Sequence, residues 1–173
     1  MTAEELLRRY AVGERDFSGA KLSGVNLEDA ELNGINLSGA MLRRASLSRA
    51  DLSGANLSNS DLASACLEET NLTHANLTHA TISDGTLLRA NLSGANLSFA
   101  NLMDCGLSES NLSGANLSGT IIGQPCLNGA NLTDVDLSQA RINLPGGLEN
   151  PRVEGAIFRN TILPDGTKII NFI

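Results

Sequence analysis

The sequence has few of the residues that usually build a large core or bind an anionic partner. It contains no tryptophan and one tyrosine in 173 residues, and aromatic residues make up 3% of the chain. A core must therefore consist of aliphatic side chains. Charged residues are 18% of the chain and the net charge is −7, which disfavours direct binding to nucleic acid or to an acidic membrane surface.

Targeting features and a disulfide framework are also missing. No apolar run reaches the length of about 18 residues that a transmembrane helix needs. The N-terminal segment, residues 1–10, places two glutamates ahead of two arginines and has no apolar stretch, so we expect no secretory signal. The three cysteines are an odd number, which argues against paired disulfides and favours a reducing cytoplasm.

A five-residue repeat runs through most of the chain. From Phe17 to Ile142, 26 positions follow one another in steps of five, and they hold 22 Leu, three Ile and one Phe. A small residue usually lies two positions before each of them, and 15 of the 25 positions from Ala20 to Ala140 are alanine. The unit reads Ala-Asn/Asp-Leu-Ser-Gly, as in residues 115–119.

A period of five fits neither a regular helix nor a straight strand. Five residues turn a helix by about 500°, so successive leucines would drift to every side. In a strand, alternate leucines would point to opposite faces because the side-chain period is two. All leucines stay on one side only if the chain turns a corner in every unit. The small residue and the leucine then point inward, and the Asn, Asp, Ser and Gly positions lie at outward turns.

Repeated corners predict a β-helix, a coil whose successive circuits pair through backbone hydrogen bonds. We predict four units, or 20 residues, in each circuit. One outward column at this spacing alternates in charge, and circuits about 4.8 Å apart would let these residues pair. Its members are Asp29, Arg49, Glu69, Arg89 and Glu109. The column does not decide the matter, because Asp84 and Asp104 would stack as like charges.

With this repeat the chain resembles the pentapeptide-repeat proteins, over roughly residues 17–163, and it is similar to members from photosynthetic bacteria. The resemblance implies an all-β solenoid, a right-handed quadrilateral β-helix with a short N-terminal capping α-helix. We expect a single domain over residues 1–173. Its segments would be a helical cap (1–14), the β-helix (15–142), a loop (143–150), and a last coil with a C-terminal cap (151–173).

Repeat proteins of this type need a cover at each end. Thr2 followed by Glu5 has the pattern of a capping box, which predicts a helix over residues 3–12. Its apolar residues Leu6, Leu7 and Tyr10 would cover the first circuit. A membrane-binding helix is the weaker interpretation, because such helices are basic and this one is balanced in charge.

The C-terminal tail offers two interpretations. After residue 142 the repeat breaks and resumes one residue out of step at Val153, Phe158 and Leu163. The tail beyond it is too apolar to lie in water, so it either covers its own core or contacts a second copy. The residues concerned are Ile169, Ile170, Phe172 and Ile173. Family members known as gyrase inhibitors dimerise through this end, so the resemblance implies a homodimer.

No group of residues predicts catalysis, a cofactor or a metal. His74 and His79 occupy outward positions of adjacent units without further zinc ligands nearby. Cys66 and Cys126 share a column but lie three circuits, about 14 Å, apart, too far for a disulfide. Cys105 replaces an inward alanine and should be buried. A narrow filled coil leaves no pocket of catalytic size, so we expect no enzyme.

Function is therefore expected on the outer faces. Two faces are uniform in Asn, Ser, Thr and Gly, which suits turns and solubility. On an irregular face, outward apolar and basic residues are candidates for binding an unidentified protein partner. They are Phe99, Met103, Ile121, Met41, Arg43 and Arg44. Sequence drift on a tolerant surface stays open as the alternative.

Two functions are considered on this basis. The first is a rigid protein-binding scaffold or regulator. The second, taken from relatives that mimic DNA, is an inhibitor or protector of DNA gyrase. A mimic over the roughly 31 Å that residues 15–142 span would need about 18 negative charges at DNA spacing. The segment holds 13 acidic and 7 basic residues, which disfavours mimicry.

Overall fold

The computed structural model describes residues 1–123, 125–143 and 147–172, apart from the side chain of Phe172. Its helices and strands are short and few, because most of the repeat consists of single bridges and turns. They are helix α1 (Ala3–Ala11), strands β1 (Ile121–Gly123), β2 (Arg141–Ile142), β3 (Phe158–Ile162) and β4 (Lys168–Phe172), and the 3-10 helices Gly147–Glu149 and Pro151–Val153.

The repeat stacks on itself every 20 residues. Parallel bridges join residues at this spacing, beginning with Asp16 and Asn36. The series continues to Ile121 in β1, which pairs with Arg141 in β2. One circuit of the chain therefore takes four five-residue units, which agrees with the length predicted from the sequence.

The interior is filled by the central and small residues of the units. Every central residue up to Leu137 is at most 3% exposed. Polar residues in the small position are buried as well, and each hydroxyl finds a carbonyl. Ser60 Oγ donates to the C=O of Leu57 at 2.7 Å, and Thr70 Oγ1 donates to the C=O of Leu47 at 2.7 Å. The inward positions predicted from the sequence are confirmed.

Each unit closes with a tight turn. In one example the N–H of Ala100 donates to the C=O of Leu97 at 2.9 Å. The third residue of the turn is left-handed, which glycine adopts without strain, as Gly119 does at φ +70°. Among the described residues, 15 that are not glycine also have positive φ, including Phe99 at φ +58°. This backbone costs an L-residue about 1–2 kcal/mol.

Helix α1 covers the first circuit. The Oγ1 of Thr2 accepts a hydrogen bond from the N–H of Glu5 at 3.2 Å, as the capping pattern predicted. Leu6 is buried and Tyr10 packs against the core. The expectation for Leu7 was wrong. Its side chain is exposed because it lies about 100° around the helix from Leu6.

The repeat resumes after the loop with extra residues accommodated. Asn131 bridges Ile157, so the spacing here is 26 residues. Val153 and Phe158 return to the buried interior. The chain then reverses and adds β4 antiparallel to β3. The repeat pattern alone contained no signal for this antiparallel strand, since its bridges are parallel.

Candidate functional site

Asparagine side chains join neighbouring circuits on the uniform faces. The Nδ2 of Asn56 donates to Asn36 Oδ1 at 3.2 Å. Its Oδ1 accepts from the N–H of Ser58 at 3.2 Å and from Asn76 Nδ2 at 3.3 Å. An aspartate would lack the donor that reaches the preceding circuit. The residue types on these faces are therefore explained by the fold itself.

The apolar patch, defined as Phe99, Met103 and Ile121, lies on one side of the coil. Phe99 and Met103 are four residues apart, so their Cα atoms are separated by at most about 14 Å. Ile121 lies one circuit further on and bridges Asn101, which is midway between them. Phe99 is 58% exposed and Met103 is 44% exposed, while Ile121 is half-buried. Large apolar side chains thus face solvent where the uniform faces carry polar residues.

Neighbouring circuits hold the side chains of the patch in place. The ring of Phe99 stacks on that of His79, with the ring centres 5.1 Å apart and the planes 13° from parallel. A Cβ atom at Gly119 would lie 2.5 Å from Phe99 Cδ1. Met103 covers Gly123, where a Cβ atom would lie 3.4 Å from its Cγ. The sequence analysis missed these contacts, although the 20-residue spacing was a signal for them.

The other predicted partner-binding residues do not join the patch. Met41 shares a column with Ile121 but lies four circuits away, about 19 Å at the spacing of paired strands. Arg43 Nη1 lies 3.2 Å from Asp61 Oδ2. Arg43 and Arg44 line a shallow depression of about 410 Å³. The structure therefore divides the six candidate residues into an apolar group and a group around the two arginines.

A ladder of ion pairs occupies the second irregular face. Arg49 lies 2.8 Å from a carboxylate oxygen of Asp29 and 2.8 Å from one of Glu28. These hydrogen bonds raise the pKa of Arg49, and the bond from Arg49 lowers the pKa of Asp29. Arg89 repeats the arrangement with two glutamates at 2.7 and 3.0 Å. The alternating column was found from the sequence, but the acid beside each ladder acid was missed.

The cysteines are free thiols. Cys105 is buried, and loss of hydration, with a smaller contribution from the charge of Asp84, raises its pKa to about 12. Cys66 Sγ lies 3.0 Å from Ser48 Oγ. The described part of the chain holds no group of three or more His, Cys, Asp or Glu that could bind a metal ion.

The residues predicted for self-association have different environments. Ile169 packs against the core, whereas Ile170 is 72% exposed. The backbone of Phe172 pairs with Phe158, and Ile173 lies outside the described residues. The two interpretations of the tail thus concern different residues, because Ile169 covers the chain's own core and Ile170 faces outward.

No helix within the described ranges has the length and apolar character needed to cross a membrane. The only helix longer than one turn there, α1, has nine residues.

Comparisons with known proteins agree with the repeat. The family profile described as pentapeptide repeats matches in eight copies, over residues 16–59, 55–87, 87–124 and 110–143. No curated protein matches the chain. Similar solved structures include the pentapeptide repeat protein Rfr23 from the cyanobacterium Cyanothece 51142, with 31% identity over 74% of this chain and 94% of that one, at a TM-score of 0.49.

Two further structures extend the comparison. HetL, a pentapeptide repeat protein involved in heterocyst differentiation regulation in the cyanobacterium Nostoc sp. strain PCC 7120, has 26% identity over 98% of this chain and 100% of that one, at a TM-score of 0.33. Full-length QnrB1, a plasmid-mediated fluoroquinolone resistance protein, has 24% identity over 82% of this chain and 78% of that one, at a TM-score of 0.56. Since the family profile covers well over half of the sequence, the chain belongs to the pentapeptide-repeat family.

Proposed function

We propose that this protein is a non-catalytic scaffold or regulator that binds another protein through the apolar patch, in the cytoplasm. The observation that carries the proposal is Phe99. It exposes an aromatic ring and holds a left-handed backbone that glycine would adopt freely. Strained positions of this kind cluster at functional sites. A filled interior leaves the outer surface as the place for function.

The proposal is tested by capture followed by titration. Wild-type protein and a triple variant, Phe99→Ser with Met103→Ser and Ile121→Ser, are immobilised and exposed to an extract of the native host. Proteins retained by the wild type are identified, purified and titrated by calorimetry. Loss of the anchors should weaken binding at least about tenfold. Full binding by a folded triple variant would contradict the proposal.

Met41→Ser is the matched control. It removes another exposed methionine of the same side, about 19 Å from the patch, and should leave binding unchanged. An equal loss in this control would place the interface around the arginine group instead.

The alternative function is inhibition or protection of DNA gyrase. QnrB1 shares the fold, but the charges of this chain favour the first function. Several of its acids, including Asp29 and Glu69, are paired with arginine, and the uniform faces need asparagine for their hydrogen bonds. We expect no effect of the purified protein in a gyrase supercoiling assay. Inhibition or protection there would favour the alternative.

We also infer that residues 15–142 form the right-handed quadrilateral β-helix of the family, within a single domain. The support is the 20-residue spacing of the bridges together with membership of the family. In this division residues 1–14 and 151–173 are the caps, joined to the helix on the C-terminal side by the loop 143–150. Such a domain should melt in one transition, and its far-UV circular dichroism should not be dominated by α-helix.

Self-association is a separate proposal that concerns the C-terminal end. We assign it to the outer side of β4, where Ile170 is exposed. Ile170→Ser should reduce the mass measured by light scattering from that of a dimer to that of a monomer, without affecting partner binding. Ile169→Ser is the control, since it should lower thermal stability. A wild-type protein that stays monomeric at high concentration would contradict this proposal.

A further inference from the structure

Two carboxylates lie at the Met103 corner of the apolar patch. Asp104 follows Met103 directly, and the backbone N–H of Asp84 donates to the C=O of Met103 at 3.1 Å. Asp84 and Asp104 are 20 residues apart, occupy the same turn position in adjacent circuits, and are both exposed. Two like charges therefore stand side by side at the edge of an exposed apolar surface.

These two acids differ from the acids of the ion-pair ladder. There, each pair of adjacent acids shares an arginine from the next circuit, as Glu28 and Asp29 share Arg49. Neither Asp84 nor Asp104 has an ion pair with any described residue. At the spacing of adjacent circuits, about 4.8 Å, like charges without a counter-charge destabilise the pair.

The turn geometry does not explain the two carboxylates. Asp84 and Asp104 both have φ +56°, a conformation that glycine adopts without strain at many other turns of this chain. Their side chains therefore add charge repulsion at positions where the backbone favours another residue. A cationic group from outside the chain would remove that repulsion.

The charges of the surroundings are consistent with this. Arg43 and Arg44 lie about four circuits, or 19 Å, from Ile121, beyond the screening length of about 8 Å at physiological salt. Arg141 is nearer, since it pairs with Ile121 in the next circuit. It stands at the end of the patch away from Asp84. The field over the patch is thus negative at the Met103 corner and positive beyond Ile121.

We infer that the apolar patch takes a protein segment that presents a lysine or arginine directly beside its apolar side chains, with the cation placed against Asp84 and Asp104. This inference rests on the proposed protein-binding function. It adds the chemistry of the partner and its orientation on the face.

The test is a selection of random 12-residue peptides displayed on phage. Peptides are retained on the wild-type protein and depleted on the Phe99, Met103, Ile121 triple serine variant, so that only binders of the patch remain. Enrichment of Lys or Arg next to apolar residues is the expected result. Binders of the patch that are neutral or acidic would overturn the inference and leave the proposed function intact. An absence of any patch-dependent peptide would overturn both.

The selected peptide is then measured by fluorescence anisotropy. We expect Asp84→Asn with Asp104→Asn to weaken its binding about fivefold at low salt, a size typical of exposed ion pairs. The difference should disappear near 0.5 M salt because of screening. Glu109→Gln is the matched control, an exposed acid at the same turn position on the other irregular face, and it should have no effect. Equal losses in both variants would also overturn the inference.

Discussion

The side of the coil that carries Asn56 and the side that carries Ile121 have the same kind of interior and different exteriors. On the first, outward asparagines are bonded to the circuits on both sides of them, so the fold determines their type. On the second, exposed Phe99 and Met103 add strain or exposed apolar area that stacking does not need. The comparison separates residues that maintain the coil from residues that are free to bind.

The largest effect tests whether the two sides share an interior. Leu97→Asp lies behind an asparagine face and Leu102→Asp lies behind the patch, and both leucines are fully buried. A buried carboxylate without a partner should prevent folding in either case. Circular dichroism should show no cooperative melt for both variants. Asn96→Asp, outward and adjacent, should be nearly silent, and a tolerated Leu102→Asp would break the comparison.

The next effect measures what the asparagine faces contribute. Asn56→Ala removes a donor and an acceptor that join three circuits, and should lower the free energy of unfolding by about 1–3 kcal/mol. Thr81→Ala is the control on the other side, because its side chain has no hydrogen bond with a described residue. It should change stability by less than about 0.5 kcal/mol. Equal costs in urea denaturation would remove the distinction between the sides.

Two glycines sharpen the comparison at the patch. A Cβ at Gly114 would meet no atom within 4 Å, whereas one at Gly119 would lie 2.5 Å from Phe99. Both glycines have positive φ. Gly114→Ala should therefore cost about 1 kcal/mol, and Gly119→Ala about 1 kcal/mol more because of the contact with the ring.

A double variant separates the two causes. Adding Phe99→Gly to Gly119→Ala should restore the melting temperature to that of Gly114→Ala. A cost that persists in the double variant would show that the ring of Phe99 does not lie over Gly119.

The smallest effect concerns pH and the ion-pair ladder. Arg49 lowers the pKa of Asp29 below its ordinary value of 3.8. The stability from this pair is therefore complete above about pH 4 and is lost as the pH falls through the lowered pKa. Urea midpoints at pH 5 and pH 3 should differ less in Arg49→Gln than in the wild type. An unchanged difference would mean that the pair adds no stability.

The inward positions could be predicted because the five-residue step allows one arrangement that hides every leucine. The grouping of Phe99 with Met103 and Ile121 followed from the same arithmetic. The partners of Arg49 could not be counted in full, since Glu28 lies in another column and reaches it only through side-chain length. A signal was present, because adjacent acids recur 40 residues apart, at 28–29 and 68–69.

Other features lay beyond the repeat. The antiparallel β4 belongs to a tail without the five-residue step, so no periodicity specified its direction. The stacking of Phe99 on His79 depends on rotamers that a column count does not contain. Leu7 was misplaced because a helix of nine residues has little room for a clear apolar stripe.

The 20-residue circuit gives insertions and deletions a geometric meaning. Adding 20 residues between Phe99 and the C-terminal end would lengthen the molecule by about 4.8 Å and leave the patch facing the same way. Adding five would rotate the patch by one side relative to that end, without any change in the patch sequence. Lengths out of phase must bulge outward, as the chain does before Ile157, which bridges a residue 26 positions back. Homologues that differ by one unit could thus present the same patch in a different direction.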